Sequence, residues 1–131
     1  MNRLFEESFE KANNLYNEHK YIDAIKAYSE CLNCDRNFSD KILFNIGVCY
    51  INQEKFNDAI YFFKKSIEES ILMNNQNSNT FYYTLFNIGY CYVKLLNYKK
   101  AYIFFKNAWA IKSDEDLIFS IKFIENELNL N

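Results

Sequence analysis

Cys31 and Cys34 form the pair in this 131-residue chain that most suggests chemistry. Two thiols at Cys-x2-Cys spacing can hold half of a zinc site or exchange a disulfide. Zinc needs two further ligands, and the remaining cysteines, Cys49 and Cys91, do not form a second such pair. The only histidine, His19, stands between Glu18 and Lys20 in a break between apolar-periodic segments. No Ser or Cys nucleophile is arranged beside it, so it reads as a solvated turn residue. Hydrolysis by paired acids needs two carboxylates facing one cleft. Glu6/Glu7, Glu68/Glu69 and Asp114–Asp116 fall instead on exposed faces or helix starts. Lys64/Lys65 and Lys99/Lys100 are small cationic clusters that could meet an anionic partner. The expectation is no enzyme, no metal and no cofactor, with the cysteines packed in a core.

Composition narrows the class further. Hydrophobic residues make up 50% and aromatic residues 19%, which excludes a disordered chain. With 2 Gly and no Pro, the many tight turns of a β-sandwich or barrel are out of reach. A glycine-rich phosphate loop is excluded for the same reason. Fifteen basic and 17 acidic residues give a net charge of −2, which argues against a nucleic-acid backbone reader. Met1–Glu10 carries Arg3, Glu6, Glu7 and Glu10, so no apolar signal core starts the sequence. No apolar run approaches the ~20 residues of a membrane span. A cytoplasmic protein is expected.

The elements that position these residues repeat. Leu43-Phe-Asn-Ile-Gly-Val-Cys-Tyr50 and Leu85-Phe-Asn-Ile-Gly-Tyr-Cys-Tyr92 differ at one position, at an offset of 42. Each is followed nine residues later by Ala, Ala59 or Ala101, and four further on by Phe63 or Phe105. A weaker copy lies 35 residues earlier, where Ala12, Leu15, Tyr21, Ala24 and Tyr28 match Gly47, Tyr50, Phe56, Ala59 and Phe63. Periods of this length mean stacked units. Each unit reads as a helix A, a short break and a helix B. Gly47 and Gly89 each cost roughly 1 kcal/mol of helix propensity, so a close approach of helix B must compensate them.

These residues resemble the tetratricopeptide repeat. The second and third copies read Leu43-x2-Ile46-Gly47-x2-Tyr50…Ala59-x3-Phe63 and Leu85-x2-Ile88-Gly89-x2-Tyr92…Ala101-x3-Phe105. The first reads Lys11-Ala12-x2-Leu15…Ala24-x3-Tyr28, without the apolar residue before the small one. The repeat-terminating proline of the family is replaced by Arg36, Ile71 and Ser113, so helix B of the second copy should run long. The resemblance implies an all-α fold, a right-handed superhelical array of helix hairpins with about seven helices. Helices are expected near 4–18, 21–34, 40–53, 56–73, 80–95 and 98–111. The whole chain, 1–131, reads as one domain, with repeats at about 5–38, 40–73 and 82–113. A capping helix at about 114–129 should start from a Ser113-x-x-Asp116 box and bury Leu117, Ile121, Ile124 and Leu128. The polar tract Asn74–Asn79 reads as a mobile linker.

The resemblance also implies a peptide-binding groove lined by helices A. By register the groove receives Asn13 and Tyr16 from the first copy, and Phe44, Asn45 and Asn52 from the second. The third contributes Tyr83, Phe86, Asn87, Tyr90 and Lys94. An Asn amide can bond both groups of a peptide unit, and aromatics offer apolar area at low entropic cost. The alternative is that Asn45 and Asn87 bond across adjacent helices. Family members that grip the acidic C-terminal tails of heat-shock chaperones use three basic residues and two Asn. The Asn positions match Asn13 and Asn45, but Phe9, Tyr83 and Asn87 stand where the cations belong. Such tails are therefore not expected partners. The function implied is a non-catalytic module that binds a peptide or segment of a partner with apolar side chains, and neither nucleic acid nor membrane. Two other readings stay open: a three-repeat substrate chaperone, and a homo-oligomer built through Phe119 and Phe123 on the C-terminal helix.

Overall fold

The computed structural model describes residues 3–130 and contains seven α-helices joined by short turns. They are α1 (Arg3–Asn17), α2 (Tyr21–Cys34), α3 (Ser39–Asn52), α4 (Phe56–Leu72), α5 (Asn79–Lys94), α6 (Tyr98–Trp109) and α7 (Glu115–Glu127). A 3-10 turn, Arg36–Phe38, precedes α3. The helices pair as hairpins α1/α2, α3/α4 and α5/α6, each packed on the next, and α7 packs on α6. The all-α repeat array expected from the sequence is the observed fold.

The three hairpin turns share one hydrogen-bond pattern. The N–H groups of Lys20, Lys55 and Asn97 donate to the carbonyls of Leu15, Tyr50 and Tyr92 at 2.9, 2.9 and 2.8 Å. Those bonds bridge five residues and satisfy carbonyls at the helix end. The residue before each donor is left-handed: His19 at φ 62°, Glu54 at 57° and Leu96 at 60°. Glycine usually takes that position. Here both glycines lie inside helices A, where close approach needs them. A Cβ on Gly47 would stand 2.5 Å from the Phe63 ring, and one on Gly89 would stand 2.5 Å from the Phe105 ring. This is the close approach of helix B that the sequence called for.

Two buried clusters run through the array, and half-buried Tyr50 of α3 packs against both. One joins Phe5, Ala12, Tyr28 and Cys31 to Ile42, Ile46 and Cys49. The other carries on from Ala59 and Phe63 through Tyr82, Ile88 and Phe105 to Leu117 and Ile124 of α7. Burial pushes the thiol pKa of Cys31 up to about 11 and those of Cys49 and Cys91 up to about 12. The thiols are therefore protonated at neutral pH and behave as small apolar side chains.

Two expectations are corrected. The cap of α7 is Asp114, not Ser113: its carboxylate accepts from Leu117 N at 2.9 Å. The tract Asn74–Asn79 is tied to the array and is no free linker. Asn75 donates its backbone N–H to Ser70 O at 2.8 Å and its side-chain amide to Asp40 Oδ2 at 3.0 Å. Asp40, 1% exposed at the start of α3, also accepts from Ser70 Oγ at 3.3 Å. Its carbonyl takes Ser66 Oγ at 2.7 Å. A buried carboxylate needs such donors, and the loop supplies one of them. As expected without a terminating proline, α4 runs long, 17 residues.

Candidate functional site

Two clefts open on the face built by α1, α3, α5 and α7. The first, about 250 Å³, is lined by Asn13, Tyr16, Tyr28, Phe44, Asn45 and Val48. The second, about 240 Å³, is lined by Phe86, Tyr90, Val93, Phe105, Phe119, Ser120 and Phe123. The amides among these belong to the first cleft. Ser120 and the Tyr90 phenol are the polar residues in the otherwise apolar wall of the second.

Packing sets the aromatic walls. Phe44 leans on Phe63 with ring centres 5.7 Å apart, and Phe86 leans on Phe105 at 5.6 Å. The same residue that seats on a glycine thus supports the half-buried ring beside it. Tyr90 meets Phe56 edge-on at 6.3 Å, which joins the second hairpin to the third. Lys94 lies 5.7 Å from the Tyr90 ring centre.

The amides divide into two groups. Asn13 accepts from the Tyr28 hydroxyl. Asn52 donates to Tyr16 Oη at 3.1 Å and to Val48 O at 2.9 Å. Asn45 and Asn87 are half-buried, and among the described residues their side chains make no hydrogen bond. They do not bond across adjacent helices, so that alternative falls away. Burial, rather than any charge, is the largest cause of the raised phenol pKa of Tyr28, which stays neutral above this cleft.

Most of the residues expected in the groove line one of these clefts. Asn13, Tyr16, Phe44 and Asn45 fall together in the first, and Phe86 and Tyr90 fall in the second. Asn52 reaches the first through Tyr16. Tyr83 is exposed at 45% and carries Lys112 5.1 Å from its ring centre. The structure changes the standing of Phe119 and Phe123. They share the second cleft with Phe86 and Tyr90, so the candidate interface and the groove are one surface. Phe119 is 74% exposed, and Phe123 meets Tyr98 edge-on at 6.0 Å. Sequence reasoning missed Tyr28, Val93, Phe105 and Ser120 as lining residues. Val93 stands three residues beyond Tyr90, a helical spacing that could have found it.

Hairpins stacked side by side, with aromatic and amide side chains on one face, define a helical-repeat array. The family model described as the tetratricopeptide repeat matches residues 40–70, nearly all of α3 and α4. No curated protein matches the sequence. Solved structures share the fold. The TPR2AB domain of yeast Sti1 in complex with pHSP90 is 18% identical with a TM-score of 0.85; the match covers 95% of this chain and 47% of that one. The present chain thus spans about half of that structure. The first TPR of Spaghetti (RPAP3), bound to the HSP90 peptide SRMEEVD, is 15% identical with a TM-score of 0.81, covering 98% and 96%. The Yersinia enterocolitica type III secretion chaperone SycD, in complex with a peptide of the translocator YopD, is 15% identical with a TM-score of 0.79, covering 93% and 92%. The tetratricopeptide-repeat model matches one hairpin of this chain, and the fold of the whole is the one these tetratricopeptide-repeat structures share. Among the described residues no helix is long and apolar enough to cross a membrane, and no group of three His, Cys, Asp or Glu could hold a metal ion.

Proposed function

We propose that residues 1–131 act as one non-catalytic, cytoplasmic binding module, and that a segment of a partner protein lies across both clefts. The reading is carried by Asn45 and Asn87, equivalent residues of adjacent repeats whose amides have no hydrogen-bond partner among the described residues. Each stands beside a supported Phe, so the repeat presents the same amide-plus-ring pair twice. The amides suit the backbone of an extended segment, and the apolar cleft suits a bulky side chain. The peptides held by SycD and by the HSP90-binding domains give the scaffold precedent for this use. An acidic chaperone tail is a poor candidate here, because Phe9, Tyr83 and Asn87 replace the cations of that clamp. Nucleic acid and membrane are not proposed as partners.

Binding should weaken about tenfold or more for Phe86→Ala and severalfold for Asn87→Ala. Salt should change it little, because the two clefts carry few charges. Calorimetric titration of a captured partner segment, at low and high salt, tests this. Unchanged affinity in both variants with the fold intact places the site elsewhere. The exposure of Phe119 favours a second reading, association of copies through α7. Light scattering over a concentration range, with Phe119 and Phe123 both changed to Ser, decides it. A parent that stays monomeric ends that reading.

A further inference from the structure

The third hairpin breaks a charge rule that the first two keep. Helix B of the first copy carries Asp23 in its opening turn, and that of the second carries Asp58. A carboxylate there complements the positive end of the helix dipole. At the equivalent position α6 carries Lys100, preceded by Lys99, and has no acid in its first turn. The departure extends beyond one residue, because no Asp or Glu occurs from Ser70 to Ser113.

The lysines converge on a single side chain. Tyr92 is 8% exposed, and Lys64 of α4 donates to its phenol oxygen at 3.2 Å. The Lys64 nitrogen lies 5.8 Å from the Tyr92 ring centre and 5.9 Å from that of Phe104. Lys100 approaches the same Tyr92 ring from α6, at 5.6 Å. The ion pairs among the described residues are Arg3–Glu7, Lys20–Glu18 and Arg36–Glu69, so neither lysine is neutralised by a carboxylate. Tyr50, the counterpart of Tyr92, has the opposite neighbour. Burial raises its phenol pKa, and the negative charge of Asp58 adds to the rise. The same tyrosine position therefore meets an acid in one repeat and two cations in the next.

We propose that Lys64 and Lys100, which both approach Tyr92, form a binding site for an oxyanion, the carboxylate or phosphoryl group of a partner. The site uses α4 and α6 rather than the clefts, so it is independent of the groove reading. Two ammonium groups on a rigid aromatic platform can each donate to one anionic group. Such a group supplies the negative charge that Asp23 and Asp58 provide in the other hairpins.

Amide shifts of residues 92–104 should be followed by NMR during titration with inorganic phosphate, and separately with an N-acetylated, C-amidated tetraglutamate, at constant ionic strength. The response should saturate, centre on Tyr92, Lys99 and Lys100, and weaken at least about fivefold in Lys64→Ala and in Lys100→Asp. Tighter phosphate binding identifies a phosphoryl group, and tighter peptide binding identifies an acidic segment. Without anion, Lys100→Asp should melt roughly 3 °C above the parent, because it restores the first-turn acid of the other hairpins. A response linear in both anions, or equal in both variants, overturns the proposal. So does a Lys100→Asp variant that melts below the parent, which would show Lys100 to be a structural contact of Tyr92.

Discussion

In α3/α4 the ring of Phe63 lies on Gly47, and in α5/α6 the ring of Phe105 lies on Gly89, with the same 2.5 Å to the place a Cβ would occupy. The neighbouring Phe–Phe distances agree within 0.1 Å, at 5.7 and 5.6 Å. The polar tie at the start of each helix A is reversed. In the second hairpin Asp40 of α3 holds the loop after α4 through Ser70 and Asn75. In the third, Tyr82 stands in the place of Asp40, and the acid is on the other side: Tyr82 Oη donates to Asp114 Oδ2 at 2.8 Å. Packing positions must repeat, because each hairpin has to stack on the next with one geometry. A polar tie only has to be satisfied internally, and either partner can carry the charge.

The largest expected effect tests the shared part. Gly89→Leu forces a branched side chain into the Phe105 ring and should lower stability by roughly 3 kcal/mol, measured by urea denaturation. Gly47→Leu should lose a similar amount, since its contact is the same. A variant that unfolds with the parent would show that the ring can move aside and that the packing is not the fixed term.

Next come the two ties. Asp40→Ala leaves Ser70 and Asn75 without their acceptor in a buried site and should cost about 2 kcal/mol. Amide exchange should then rise selectively in residues 73–78. If exchange there is unchanged, the loop is held by its backbone bonds alone.

The tie in the third hairpin is smaller and depends on pH. Leu117 N–H first, and the Tyr82 hydroxyl second, hold the Asp114 pKa below its ordinary value of 3.8. A carboxylate with a depressed folded pKa stabilises the protein above its unfolded pKa, and the gain is lost as pH falls through the folded value. Stability should therefore decline as pH drops below about 4. Tyr82→Phe should cost about 1 kcal/mol at neutral pH and make that acid decline shallower. An unaltered acid slope would leave the helix cap as the whole cause of the shift.

The contrast explains what the sequence disclosed. Leu43–Tyr50 and Leu85–Tyr92 were legible because packing writes the same residue types at a fixed offset. Helix ends fell within about two residues, since the apolar stripe stops where the packing stops. Asp40 with Asn75, and Tyr82 with Asp114, were invisible because each tie joins residues more than 30 apart and occurs once. The polar tract 74–79 misled for the same reason: its composition suits a linker, and the bonds of Asn75 to Ser70 and Asp40 that anchor it leave no pattern in the sequence. In the candidate site, the repeated place of Asn45 and Asn87 was legible, but only Asn45 lines a cleft; Asn87 lines neither. That Phe119 and Phe123 share a cleft with Phe86 was not legible, since the rotation of α7 about the last hairpin is set by tertiary packing.

The smallest expected effect concerns the turns, where the second and third hairpins agree in backbone and differ in residue. Glu54 and Leu96 occupy the same left-handed position, at φ 57° and 60°. That conformation costs a residue with a Cβ roughly 1 kcal/mol relative to glycine. Glycine returns part of this through the greater freedom of its unfolded chain, about 0.5 kcal/mol. Leu96 is also 75% exposed, so its side chain contributes little burial to set against the strain. Leu96→Gly should therefore raise stability by about 0.5 kcal/mol, read as a melting temperature higher by roughly 2 °C. Glu54→Gly should give a gain of the same size, since it relieves the same torsion. The sign is opposite to that of Gly89→Leu, although both change the glycine content of the third hairpin. Glycine is needed there for the close approach of a ring and is dispensable in the turn, where the backbone bonds hold the left-handed residue in place. A fall in melting temperature for Leu96→Gly would show instead that Leu96 packs on the turn, and that this hairpin departs from its neighbour in packing as well as in polarity.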